Sequence, residues 1–183
     1  MDDRELLKRV LEARQAFGMT CTKFTGAVTV ELLREALVDY GFRLSPRDVF
    51  LKGVPVEIDL LMLRHTARPL DGVSYEPSGV LAAFEVKSRG SFGAKSVESV
   101  RRSFAAVQDA NASIACIYVA LAERRNYRWA VTTERLGHEA FTFFWHTGSE
   151  RNLAYESSGD WQKLLCKLES LSDTDTGRCS TTG

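Results

Sequence analysis

Apolar positions recur along this chain with two different periods, and the switches between them mark out its elements. Leu6, Leu7, Val10, Leu11 and Phe17 fall at helical spacing among charged residues and predict an amphipathic helix over 2–17, with Gly18 as its stop. A second helix is predicted from Thr29 as N-cap, with Val30, Leu33, Leu37 and Tyr40 on one stripe and Gly41 at its end. At about 100° per residue, Glu31 lies on the shoulder of that stripe with Glu35 and Val38. Ser45-Pro46-Arg47-Asp48 signals a turn, and Val49-Phe50-Leu51 a short strand.

The period then becomes two. Over Val54 to Arg64, Val56, Ile58, Leu60 and Met62 share one face and Glu57, Asp59, Leu61 and Leu63 the other. Both faces turn apolar toward the end, which predicts a strand covered on both sides and central in its sheet. A loop over 65–78 leads to an apolar strand from Gly79 to Ser88. After the loop 89–93, Ser96 caps a helix with Val97, Val100, Phe104 and Val107 on its buried face and Gln108 beside it. Ile114 to Leu121 is a further buried strand, so that strand, helix and strand form a crossover between parallel neighbours. Residues 123–136 read as a helix with a basic start, Ala140 to Trp145 as a short aromatic strand, and Ser158-Gly159-Asp160 as the opening of a last helix carrying Trp161, Leu164, Leu165, Leu168 and Leu171. From Ser172 the composition is rich in Ser, Thr, Asp and Gly, and a disordered tail over 172–183 is expected.

Composition narrows this picture. With 183 residues, 44% of them hydrophobic, and no internal repeat, the chain is expected to form one domain over 1–171. The 24 basic and 24 acidic residues cancel, so any polyanion surface has to be local. Cys21, Cys116, Cys166 and Cys179 form no Cys-x-x-Cys pair and are read as reduced thiols in the core or the tail. The charged start Met1-Asp2-Asp3-Arg4-Glu5 leads into an amphipathic pattern, so neither a signal peptide nor a membrane span is expected, and a cytoplasmic location is. No Gly-x-x-x-x-Gly-Lys-Ser/Thr loop supports nucleotide hydrolysis. His65 lies in a loop, His138 and His146 lack partners at metal-ligand spacing, and all three are read as structural or surface residues, with Trp145 and Trp161 as core.

Three charges stand where a buried sheet should have none: Asp59, Glu85 and Lys87. A charged group in such a strand is costly to desolvate unless it is paired or holds a metal. Glu85 and Lys87 are two apart and share a face. Alone, Glu85-Val86-Lys87 would also suit a cross-strand charge pair on a half-exposed strand. Joined to Asp59, it supplies the hard oxygen ligands that Mg²⁺ takes, with an ammonium beside them. Glu57 is a rival for Asp59, because the register of its strand decides which of the two faces Glu85.

A helix bearing Glu31, a strand bearing Asp59, a strand reading Glu85-Val86-Lys87, then a helix and another buried strand resemble, in this order, the PD-(D/E)XK nuclease superfamily. The resemblance covers about 24–121, and departs from the family's name in having Ile58, not proline, before Asp59. It implies a restriction-endonuclease-like α/β fold: a three-layer α/β/α core with a mixed sheet of about four strands flanked by helices, here with an extra N-terminal helix and a C-terminal helix. It also implies a metal-dependent nuclease hydrolysing phosphodiester bonds in DNA, as an Mg²⁺-dependent (or Mn²⁺-dependent) endonuclease. Asp59, Glu85 and the backbone of Val86 would hold the metal, and Lys87 would assist the attacking water. Glu31 would match the helix carboxylate of many members, and Gln108 a glutamine that some carry on the following helix.

Basic residues gather next to this constellation: Arg89, Lys95, Arg101 and Arg102 follow Lys87, with Glu98 as the acid among them, as phosphate contacts require. Arg124, Arg125 and Arg128 form a second basic group. DNA is the expected partner, with a homodimer or larger nuclease assembly where both strands are cut, because two sites are then needed. The other reading, favoured by the neutral overall charge, is a catalytically inactive module of the same fold that binds nucleic acid or a protein within an assembly.

Overall fold

The longest apolar runs in the chain build its sheet. In the computed structural model, which describes residues 1–17, 22–89, 94–125, 129–148, 152 and 154–176, the elements run α1 (Asp3–Phe17), α2 (Thr22–Asp39), β1 (Phe50–Leu51), β2 (Leu60–Leu63), β3 (Ser74–Tyr75), β4 (Val80–Lys87), α3 (Ala94–Ala110), β5 (Ala115–Arg124), α4 (Trp129–Leu136), β6 (Glu139–His146), β7 (Tyr155–Ser157) and α5 (Asp160–Thr176). The main sheet has five strands in the order β2-β4-β5-β6-β7, and β1 pairs with β3 in a small parallel ribbon. β4, β5 and β6 are parallel, whereas β2 and β7 run antiparallel to their neighbours. The crossover through α3 is as the sequence pattern predicts, and the mixed sheet is as the resemblance implies, with five strands where about four were expected.

Alternation along the strands divides the core into two layers. Leu60, Met62, Phe84, Val86, Ile117 and Val119 pack with Leu6 and Val10 of α1, Leu33 and Leu37 of α2, and Trp161, Leu164 and Leu168 of α5. Leu61, Ala83, Tyr118 and Ala120 pack on the other side with Val97, Val100, Phe104 and Val107 of α3, Leu136 of α4, and Leu51 and Tyr75 of the ribbon. The result is an α/β/α sandwich.

Several predicted boundaries move. α2 begins at Thr22, seven residues before the predicted cap, and Thr29 is an interior residue whose hydroxyl donates to the Thr25 carbonyl at 2.7 Å. The strand predicted over 54–64 is regular only over Leu60–Leu63, and Ile58 belongs with Leu61 and Leu63, not with Leu60 and Met62. β5 continues to Arg124, so the helix predicted over 123–136 begins only at Trp129. α5 runs to Thr176, past the predicted start of the tail at Ser172, and residues 177–183 lie outside the described ones. Cys116 is a core thiol, Cys166 is exposed on α5, and Cys21 and Cys179 lie outside the described residues.

β2 is also not central. It is the edge of the sheet, yet all four of its residues are buried. Its outer side is occupied by residues 43–45: Leu44 bridges to Met62, the Ser45 amide donates to the Leu61 carbonyl at 2.9 Å, and the Leu63 amide donates to the Arg43 carbonyl at 2.8 Å. Ser45 Oγ accepts from the Leu61 amide at 2.9 Å and donates to the Pro46 carbonyl at 2.7 Å. Ser45→Ala therefore leaves a buried N–H without an acceptor and is expected to cost about 1–3 kcal/mol. Urea unfolding checks this, and an unchanged midpoint would show that Leu61 finds another partner.

Candidate active site

β4 outruns its edge neighbour. Leu60 at the start of β2 faces Phe84, so Glu85, Val86 and Lys87 extend beyond the paired segment. There the side chain of Asp59 takes over from a backbone partner, its Oδ2 accepting the Val86 amide hydrogen at 2.6 Å. Glu85 and Lys87 project on the α3 side of the sheet, in step with Ala83 and opposite to Phe84 and Val86. Lys87 Nζ stands 2.5 Å from Glu85 Oε1 and 3.9 Å from Asp59 Oδ2. Asp59, not Glu57, thus meets the Glu-x-Lys pair, and Glu57 is exposed.

Two carboxylates now share one ammonium, with Asp59 and Glu85 side chains only 22% and 20% exposed. Burial first, and then repulsion from Glu85, pushes the Asp59 pKa up to about 6, against the pull of Lys87 and the Val86 amide. For Lys87, burial opposes the charged form, but Glu85 and Asp59 outweigh it and raise the pKa. The cluster is one cation short of neutrality, which is the electrostatic condition for holding a metal.

Among the described residues no group of three or more His, Cys, Asp or Glu could hold a metal ion. The donors at hand are the two carboxylates of Asp59 and Glu85, which is the number that Mg²⁺ commonly takes from a protein. These hard oxygen donors fit Mg²⁺ or Mn²⁺. Val86 belongs to this site through its N–H toward Asp59.

Other expected residues are not brought here. Glu31 lies on α2, in the layer on the opposite face of the sheet, and its carboxylate is 2.6 Å from Arg34. Gln108 is near the C-terminus of α3, where Asn111 Nδ2 donates to the Pro77 carbonyl ahead of β4, so it lies by the wrong end of the strand. Arg101 pairs with Glu98 at 3.6 Å, and Arg102 Nε lies 3.4 Å from the Glu98 carbonyl oxygen, while Lys95 is exposed in the first turns of α3. Arg89 follows Lys87 closely and is exposed. Arg125 pairs with Glu156 at 2.7 Å, and Arg128 lies outside the described residues.

Two acids escaped the sequence pattern. Asp48 contributes a like charge at Asp59, holds a left-handed backbone conformation at φ 57°, and donates its amide hydrogen to the Asp59 carbonyl at 3.1 Å. Its place in the Ser-Pro-Arg-Asp turn was the available signal, since Asp tolerates that conformation better than most residues. Glu123 in β5 is 4% exposed, its Oε2 has no hydrogen-bond partner among the described residues, and burial pushes its pKa up to about 7.

Among the described residues no helix is long and apolar enough to cross a membrane. Neither a protein-family model nor a curated protein matches the sequence. Solved structures do. NucC of P. aeruginosa ATCC27853 in its cAAA-bound form is 13% identical with a TM-score of 0.64, over 92% of this chain and 88% of that one. NucC of E. coli MS115-1 in its cAAA-bound form is 14% identical with a TM-score of 0.64, over 92% and 86%. The apo form of the same E. coli protein is 12% identical with a TM-score of 0.52, over 92% and 91%. At these identities the likeness is one of fold: the chain has the mixed α/β architecture of NucC.

Proposed function

We propose that this chain is a metal-dependent endonuclease of the PD-(D/E)XK type that hydrolyses phosphodiester bonds in DNA. The observation that carries the reading is the convergence of Asp59 and Glu85 on Lys87, with Asp59 clamped by the Val86 amide. The fold that carries these residues is the one shared with NucC.

Asp59 and Glu85, with the Val86 carbonyl, would hold Mg²⁺ or Mn²⁺. When bound, the ion supplies Lewis acidity toward a phosphodiester oxygen and toward water. The chain's own part is electrostatic and positional. The Val86 amide fixes Asp59 in one orientation, so the carboxylate is preorganised rather than searching among rotamers. Lys87, protonated and 44% exposed at its side chain, presents an N–H to a water or to the phosphate at the mouth of the cluster. There it orients the nucleophile and stabilises charge that develops on oxygen. Glu31 and Gln108 have no part in this scheme. Cutting both strands of a duplex would need a second copy of the site, which a symmetric homodimer supplies.

The test is twofold. The purified chain is expected to cut at least one of single-stranded, duplex or branched DNA when Mg²⁺ or Mn²⁺ is added, with RNA as the comparison. Calorimetric titration with Mn²⁺ is expected to show one site per chain that disappears in Glu85→Ala. No measurable ion binding, with or without DNA, would overturn the reading and favour an inactive module of the same fold.

A further inference from the structure

Two residues beyond Lys87, the chain turns over the C-terminal edge of the sheet into a second polar cluster that the site above does not use. Arg89 Nη2 reaches the Tyr155 hydroxyl at 3.5 Å. Tyr155 is the cross-strand partner of His146, and their rings meet edge to face at 5.8 Å between centroids. Arg14, near the end of α1, completes the group. Its pKa is lowered by burial first and then by the charge of Arg89, while Tyr155 acts in the opposite sense.

Among the described residues this cluster lacks the acids that usually neutralise arginines. Among the described residues neither Arg14 nor Arg89 has a carboxylate partner, whereas nearby Arg125 is already paired with Glu156. Among the described residues, Arg14 Nε and His146 Nε2 are both buried and without a hydrogen-bond partner. Unsatisfied buried polar atoms beside two uncompensated guanidinium groups call for an anion with several acceptor oxygens, and arginine forks match phosphate oxygens in geometry.

We propose that Arg14, Arg89, His146 and Tyr155 form a phosphate-binding subsite that holds a backbone phosphate of the nucleic acid away from the one that is cut. The assignment of the ligand to nucleic acid rests on the nuclease reading. The placement fits a strand running along the C-terminal edge of the sheet: Lys87 Nζ stands by Asp59 at the β2 side, and Arg89 Nη2 reaches Tyr155 of β7 on the other side of β4. The subsite positions the strand and reads no base.

The experiment compares the wild-type chain, assayed for cutting with Mg²⁺, with variants in an Asp59→Asn background, assayed for binding of fluorescein-labelled single-stranded and duplex oligonucleotides by anisotropy between 50 and 200 mM salt, concentrations over which phosphate contacts are about 10³–10⁵-fold sensitive in strong binders. Arg14→Gln and Arg89→Gln together are expected to weaken binding about tenfold or more, and each to reduce the slope of log K against log salt by about 1. Arg14→Lys with Arg89→Lys is expected to restore most of the slope, which separates lost charge from lost fold. If the wild type cuts DNA and the glutamine variants keep the parent's slope, the subsite is wrong and the nuclease reading stands. If the slope falls but the wild type cuts nothing, the subsite stands and the nuclease reading is wrong. A parent that does not bind at any salt concentration overturns the subsite.

Discussion

Asp59→Asn is expected to reduce DNA cutting by at least about 10³-fold while leaving the melting temperature unchanged or slightly higher. The rate loss follows from removing one of two carboxylates and unbalancing Lys87, in a site whose catalysis is mostly electrostatic, where single groups account for factors of about 10²–10⁴. The stability expectation follows from the same geometry. Asn retains an oxygen for the Val86 amide, so the 2.6 Å hydrogen bond has a replacement. It also removes a buried negative charge that Glu85 repels. The lost attraction to Lys87 acts over 3.9 Å at a half-exposed ammonium and contributes little. Lys87→Ala should cost as much in rate. Single-turnover cleavage beside scanning calorimetry checks both halves. A variant that cuts at the wild-type rate would remove Asp59 from the mechanism, and one that melts several degrees lower would make its role structural.

Glu123→Gln is expected to stabilise the chain at pH 8 by up to about 3 kcal/mol and to leave it nearly unchanged at pH 4. The folded protein raises this carboxyl from 4.5 to about 7 because the group is buried. The folded state therefore holds the proton more tightly than the unfolded chain. Its stabilising effect is complete below pH 4.5 and is lost as the pH rises through about 7. Gln keeps the shape without the ionisation, and the difference between the two proteins isolates Glu123 from Asp59, which titrates in part of the same range. Urea unfolding at four or five pH values measures it. Parallel curves for wild type and variant would mean that Glu123 is charged and partnered in solution.

The parts of this molecule that could be read from the sequence are those in which local pattern and tertiary environment agree. The runs Val80–Lys87 and Ala115–Arg124 are almost continuously apolar, and the sheet's interior is built from them. The pairing of Asp59 with Glu85 and Lys87 was legible because charges inside such runs are costly without a purpose. Glu123 carries the same signal, but it was hidden by ending the strand at Leu121 and assigning the following basic residues to a helix. Thr22 to Thr29, with β-branched residues and Gly26, has poor helix propensity, yet Val30, Leu33 and Leu37 anchor one long helix on the sheet. The strand over 54–64 failed as a unit because the alternation breaks at Asp59, between Ile58 on the face of Leu61 and Leu63 and the regular run Leu60–Leu63. That irregular backbone delivers Asp59 to the end of β4, which a regular strand in that register would not announce.

The cover over β2 also bears on how copies of this chain can meet. An open strand edge invites the same edge of another copy, in assembly or in aggregation. Here the outer groups of β2 are engaged by residues 43–45, and the opposite edge, β7, is a strand of three residues, Tyr155–Ser157. A continuous sheet across two copies is therefore disfavoured at both ends. Any homodimer that sets two sites against one duplex has to join through helices or loops, and the chain should remain free of cross-β association even when concentrated.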